Sequence, residues 1–321
     1  MQCFSNILIV CGREHEHDHA LEAALQIAEQ NNAAITLLQV IPPLSALQTM
    51  AKPHTPEQIE QSYLNFYHNK LQSWAAQYSE KALIRCKVVI GTGFFETIRT
   101  VLRNQHDLVI KTAEPASWMQ RLFGSNDMHL LRKCPCPLWL LKPGADLRGG
   151  RVIATVDLTP AQFNRDEDAL NQRIVELAAA TATAQGSSLQ FLHAWQPMDA
   201  GAVLMWCENP EQAEAELEQS LYQSQQAAMQ QFQQQVQNWL GEHTFSYLNP
   251  EFSMLRGDPG QVLAAKAREL SAKLVVMGTV GRSGIAGFLI GNTAETILEQ
   301  LDCAVLAIKP TGFICPITLD D

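Results

Sequence analysis

Pro143 and Pro310 each stop a short apolar run, Leu138–Leu141 and Val305–Ile308, and they lie 167 residues apart (310 − 143). Gly124 and Gly291 share that spacing (291 − 124). Toward the amino end the spacing shrinks: Ile7–Cys11 and Arg151–Val156 read as the same strand, pairing Cys11 with Asp157 at 146 residues (157 − 11). An internal repeat of this length constrains the fold more than any composition does. The two halves must fold alike, the second with 21 more residues (167 − 146) in the loops after its first and second strands. Two like halves usually face each other across a pseudo-twofold axis, as a homodimer would. A chain of 321 residues also favours two domains. We place them at 1–144 and 150–310, joined by the glycine-rich linker Pro143–Gly150. An acidic tail, 311–321, is expected to be partly mobile.

Within each half, short apolar runs alternate with helical spacing. The first half reads as strands at Ile7–Cys11, Ile35–Ile41, Cys86–Ile90, Leu108–Ile110 and Leu138–Leu141. Helices are expected over Ala20–Gln30, Glu57–Tyr78, the segment up to Asn104, and Asn126–Lys133. The second half repeats this with strands at Arg151–Val156, Leu189–Ala194, Glu251–Leu255, Lys273–Met277 and Val305–Ile308. The Gln-rich run Glu211–Leu240 carries Leu217, Leu221, Phe232, Val236 and Trp239 on one side, so it reads as an amphipathic helix rather than a disordered tract. Such alternation implies α/β domains, each a doubly wound parallel sheet with right-handed crossovers.

One segment carries chemistry. The apolar run Lys273–Met277 leads into a glycine-rich loop, and a helical pattern follows from Ala294. Asn292 is the expected N-cap, with Glu295 three residues on as in a capping box. Strand, glycine-rich loop and helix N-terminus together let backbone N–H groups approach an anion. The spacing Gly278-x2-Gly281-x9-Gly291, followed by Asn292, resembles the ATP-binding signature of the universal stress protein family. The runs His106–Lys111 and His129–Lys142 extend that resemblance, which covers nearly the whole chain. It implies two tandem Rossmann-like, adenine nucleotide alpha hydrolase-like domains with pseudo-twofold symmetry, in contact through their fifth strands.

The resemblance also implies a ligand and its site. Asp157 matches the residue that contacts the adenosine portion of the nucleotide. Ala194 matches the small residue beside the adenine, and Met277 and Gly278 match the end of strand four. Gly281, Gly291, Asn292 and Thr293 match the phosphate loop, and Arg282 is placed to neutralise phosphate or to serve as a solvated loop cation. Asn292 departs from the Ser or Thr usual in the family. The expected ligand is ATP or another adenine nucleotide, with Mg2+ as its companion ion, and the expected role is a stress-responsive binding module rather than an enzyme. His193 is expected to be a satisfied core residue. At an offset of 167, Gly278 meets Lys111, Gly281 meets Glu114, Gly291 meets Gly124 and Asn292 meets Ser125. Glu114 would set a carboxylate against phosphate, and Cys11 replaces the acidic residue, so the first half is expected to have lost its nucleotide site.

Composition and charge exclude other classes. A net charge of −10 without a basic run argues against nucleic acid and anionic membranes as partners. No apolar run reaches the ~20 residues of a membrane helix. The N-terminus lacks the regions of a signal peptide, so the expected compartment is the cytoplasm, with the eight cysteines reduced. Cys134-Pro-Cys136 reads as structural. His15, His17 and His19 resemble, one residue short, the HxHxDH motif of metallo-β-lactamase-like hydrolases; they read as a polar loop. No Walker loop or nucleophile elbow is present. Two alternatives stay open: a carrier of an apolar, lipid-like ligand lined by Phe94, Phe95, Trp118, Met119, Leu122 and Phe123, and a slow ATPase. A further homodimer of the whole chain is also left open.

Overall fold

The computed structural model describes residues 3–12, 18–44, 55–113, 126–144, 148–158, 165–197, 209–279 and 290–319. The first half runs β1 (Asn6–Cys11), α1 (Asp18–Asn31), β2 (Ala34–Ile41), α2 (Pro56–Ala75), β3 (Ile84–Ile90), α3 (Gly93–Asn104), β4 (Leu108–Thr112), α4 (Asn126–Lys133) and β5 (Leu138–Leu141). The second runs β6 (Arg151–Val156), α5 (Arg165–Gln185), β7 (Ser188–Trp195), α6 (Pro210–Leu248), β8 (Glu251–Arg256), α7 (Pro259–Glu269), β9 (Leu274–Gly278), α8 (Asn292–Gln300) and β10 (Ala304–Ile308). The alternation read from the sequence is therefore present in both halves.

The ten strands of the described residues form one sheet in the order 3-2-1-4-5-10-9-6-7-8. Every neighbouring pair is parallel except β5 and β10, which meet antiparallel with Trp139 opposite Leu306. The expected contact between fifth strands thus fuses the half-sheets. It also places the carboxyl edge of each half at the amino edge of the other. The strands are nearly continuous apolar runs because both faces are covered. α1, α2, α5 and α6 cover one face over a core that includes Ile9, Trp139, Ala154 and Phe191; α3, α4, α7 and α8 cover the other over Val109, Leu140, Val275 and Val305.

The Gln-rich segment is a helix, as its stripe predicts. Met229, Phe232, Val236 and Leu240 are buried, and the helix kinks at Gly241 before ending at Asn249 in the left-handed region. At the start of α7, Asp258 accepts a hydrogen bond from the Gln261 N–H at 3.1 Å. Losing a side-chain cap costs about 1 kcal/mol. Asp258→Ala should therefore lower the urea midpoint slightly with an unchanged slope.

The tail is anchored at two points, with Ile317 buried in the second core and the Cys315 thiol donating to the Lys133 carbonyl at 3.3 Å, while Ile314 and Leu319 are exposed. Two expectations are corrected. Asn292 is not the cap of α8. Gly291 holds that place with extended backbone, and Asn292 is already helical, so the capping box with Glu295 does not form.

The repeat also departs from its expected offset. Its offset is 145 at the first strand (151 − 6), 154 at the second (188 − 34) and 166 at the fourth (274 − 108). It reaches 167 at the fifth, where Leu138 stands opposite Val109 as Val305 does opposite Val275. A one-residue slip in a strand sends every side chain to the opposite face. Core membership confirms the shorter offset, since Ile110 and Val276 share one face and Val109 and Val275 the other. Gly12, not Cys11, therefore holds the place of Asp157. Lys111 matches Met277 and Thr112 matches Gly278. Glu114, Gly124 and Ser125 lie outside the described residues.

Candidate functional site

Side chains alternate between faces along a strand. Val156 packs under α5, so Asp157 leaves the sheet on the other face, where it is exposed. Val156 pairs with His193, so Asp157 stands level with Ala194. Ala194 and Met277 both belong to the core beneath α7 and α8. The structure thus brings Asp157, Ala194 and Met277 to one face at the carboxyl ends of β6, β7 and β9. Ligands of open α/β sheets sit at such an edge.

The glycine-rich loop closes against this edge at its neck. The Gly291 N–H donates to the Thr279 carbonyl at 3.0 Å, and the Thr279 N–H donates to the Ile308 carbonyl at 3.1 Å. Thr279 is wholly buried. The neck fixes where α8 begins, and Glu295 is the first residue whose N–H closes a helical bond, onto Gly291 at 2.9 Å. The N–H groups of Asn292, Thr293 and Ala294 precede that ladder, as at any helix start, and the helix dipole adds positive potential there. Asn292 and Thr293 are exposed. Gly281 and Arg282 lie outside the described residues.

Gly278 has a different reason to be glycine from the one its motif suggests. It faces α5, and a Cβ there would lie 3.0 Å from Leu170 Cδ2. Its small size serves helix packing on the face opposite Asp157.

Two residues hold the turn that carries Asp157. Asn171 of α5 accepts from the Asp157 N–H at 3.4 Å and donates to the Asp157 carbonyl at 2.9 Å. His193 accepts at Nδ1 from the Leu158 N–H at 3.3 Å, with Nε2 2.9 Å from Gln225 Oε1 of α6. Nδ1 also lies 3.2 Å from the Val156 carbonyl, so the ring is held against the end of β6. His193 is fully buried on the face away from Asp157, in agreement with its expected core role. Asn171 was not legible from the sequence; a polar residue beside buried Leu177 and Ile174 on a helix is the signal that could have marked it.

The other half also reaches this edge. Arg132 of α4 lies 3.3 Å from Glu295 in the first turn of α8. Lys309, which follows β10, donates to the Leu131 carbonyl, and burial draws its pKa down to about 8.

The equivalent edge of the first half is filled differently. Lys111, in the place of Met277, sets its ammonium 2.6 Å from Asp127 Oδ1. Asp127, buried in the first turn of α4, holds the place of buried Ala294 (294 − 127 = 167), the offset at which Leu130 matches Ile297. Both side chains of the ion pair are buried. Gly12 offers no carboxylate; its carbonyl accepts from Gln39 at 3.2 Å. Cys11 points into the core beneath α1, where burial pushes its thiol pKa far up. Of the expected apolar cleft, Phe94 stacks on His129 at 4.2 Å and Phe95 lies under the Arg99 guanidinium at 4.3 Å. Trp118, Met119, Leu122 and Phe123 lie outside the described residues, as do His15 and His17. His19 is exposed on α1, 4.0 Å from Glu22.

Comparison with known proteins assigns the family. The profile of the universal stress protein family matches residues 4–142 and 166–309, one copy per half. Universal stress protein E of Salmonella typhi is 28% identical, over 100% of this chain and 99% of its own length. The universal stress protein E homolog of Haemophilus influenzae is 26% identical, over 96% and 98%. Among solved structures, a functionally unknown protein of Pseudomonas aeruginosa PAO1 superposes with a TM-score of 0.68 at 22% identity, covering 96% of this chain and 94% of that one. A universal stress protein of Archaeoglobus fulgidus superposes with 0.56 at 17% identity, covering 95% and 98%. These likenesses establish the shared two-domain fold. The chain belongs to the universal stress protein family, as a tandem member similar along its whole length to universal stress protein E.

Proposed function

We propose that the protein is a cytoplasmic stress-response module that binds an adenine nucleotide, ATP or a close analogue, in its second half and acts by binding rather than by catalysis. The observation that carries this reading is the closed neck from Thr279 to Gly291, which holds the start of α8 beside the face shared by Asp157, Ala194 and Met277. Asp157 would take the adenosine hydroxyls, and Ala194 and Met277 would lie against the base. The amides of Asn292 and Thr293, with Gly281, Gly291 and Arg282, would take the phosphates, accompanied by Mg2+. His193 is committed to internal bonds and supplies no base for hydrolysis.

The first half does not share the role in this reading. Asp127 already sets a carboxylate at the start of α4, and Lys111 neutralises it, so an entering phosphate would have to displace an internal ion pair. The apolar-ligand reading is weaker, because both described phenylalanines already carry a cationic or imidazole partner.

Titration calorimetry with ATP and Mg2+ tests the proposal. The wild type should bind one nucleotide per chain. Asp157→Ala removes a hydrogen-bond partner that carries charge, which is worth about 1.5–3 kcal/mol, so affinity should fall about tenfold or more. Its melting temperature should stay unchanged because the side chain is exposed. No binding by the wild type at millimolar ATP overturns the reading, and two nucleotides per chain overturns the inactive first half.

A further inference from the structure

The first half carries a pair of thiols that the fold does not require. Cys134 ends α4 and Cys136 precedes β5, with Pro135 between them at a bend. Both thiols are buried, and their sulfurs are 3.7 Å apart. At the fifth-strand offset of 167, Cys136 matches Cys303 and Cys134 matches Leu301. Leu301 is buried as fully as Cys134, at 1% exposure each. The Cys134 N–H donates to the Leu130 carbonyl at 2.9 Å, just as the Leu301 N–H donates to Ile297 at 3.0 Å. An apolar side chain therefore does the packing and capping work of Cys134 in the other half, and packing alone gives no reason for a sulfur there.

The hydrogen bond from Cys136 and the charge of Lys309 lower the Cys134 thiol pKa against the opposing effect of burial, and the same hydrogen bond and burial raise that of Cys136. Thiolate character, not the thiol, governs reactivity. A third thiol, Cys315 on the tail, caps the same end of α4 through the Lys133 carbonyl.

We propose that Cys134 and Cys136 form a reversible dithiol–disulfide site that uses a hydroperoxide as oxidant and a small thiol as reductant. The Cys134 thiolate attacks one peroxide oxygen and the O–O bond breaks. This leaves a sulfenic acid and hydroxide, which takes up the proton that Cys134 gave up. The Cys136 sulfur then attacks the sulfenic sulfur and displaces hydroxide, which takes the Cys136 proton. Two thiols and one hydrogen peroxide give one disulfide and two waters. The sulfurs must close from 3.7 Å to the ~2.0 Å of a disulfide.

The test treats the reduced full-length protein with hydrogen peroxide, blocks remaining thiols with N-ethylmaleimide in denaturant and maps tryptic peptides by mass. The peptide from Cys134 to Arg148 holds these two cysteines and no other. It should lose two hydrogens, take up no maleimide, and regain both thiols with dithiothreitol. Cys136→Ser should stop at a sulfenic acid that dimedone traps on Cys134, whereas Cys315→Ser should still form the disulfide. Two maleimides on the wild-type peptide after peroxide, or a bond from Cys134 to Cys315 instead, overturns the proposal. Because the wild type alone gives these outcomes, the result does not depend on the variants folding.

Discussion

Lys111→Met should destabilise the protein by about 3–5 kcal/mol, the cost of removing one partner from a buried ion pair. The ammonium and the Asp127 carboxylate are 2.6 Å apart with both side chains buried, so the lost ammonium leaves a carboxylate in a poorly solvated place. The double variant Lys111→Met, Asp127→Ala installs the residues of the second half, Met277 and Ala294. It should recover most of the loss, since a buried pair exchanged for residues that pack is often neutral. Urea unfolding of the two variants measures both. If the double variant is no more stable than the single one, the correspondence of Lys111 with Met277 and of Asp127 with Ala294 is wrong.

Gly260→Ala should unsettle α8 together with the site. A Cβ at Gly260 of α7 would lie 2.8 Å from Thr296 Cγ2 and 2.9 Å from Thr296 Cβ, and the second of these atoms cannot swing away. Overpacking of this kind costs about 1–3 kcal/mol. Thr296 is one turn beyond the start of α8, so relief by moving the helix would also shift the Asn292 and Thr293 amides and lengthen the Gly291 to Thr279 bond. We expect a lower melting temperature and a several-fold weaker nucleotide affinity together. Thr296→Ala in the same chain removes the closer contact and should restore part of both. A loss of stability with undiminished affinity would separate α8 from the site.

Fold class, element order and the Gln-rich helix were legible because they rest on periodicity, which sequence displays directly. The site was legible in part. Asp157, Ala194 and Met277 could be named from matched positions, but that they share one face follows from strand register, which depends on pairing between distant segments. Loops absorb single residues without changing any pattern, so the offset of 167 that holds at Pro143 and Pro310 overshoots the fourth strands by one. The Asn292 cap failed similarly, since the neck at Thr279, formed with β10, sets where α8 begins.

By itself the sequence determined that two α/β halves would form and which segment would carry the glycine-rich loop, because hydrophobic period and glycine placement are local properties of a chain. The tertiary structure alone decided three things: that Asn171 clamps Asp157, that Lys111 and Asp127 neutralise each other at the edge of the first half, and that Cys134, Cys136, Lys309 and the tail meet where the halves join. Each depends on groups far apart in the chain whose contact is set by the antiparallel β5–β10 joint or by strand register, and neither leaves a mark on local pattern.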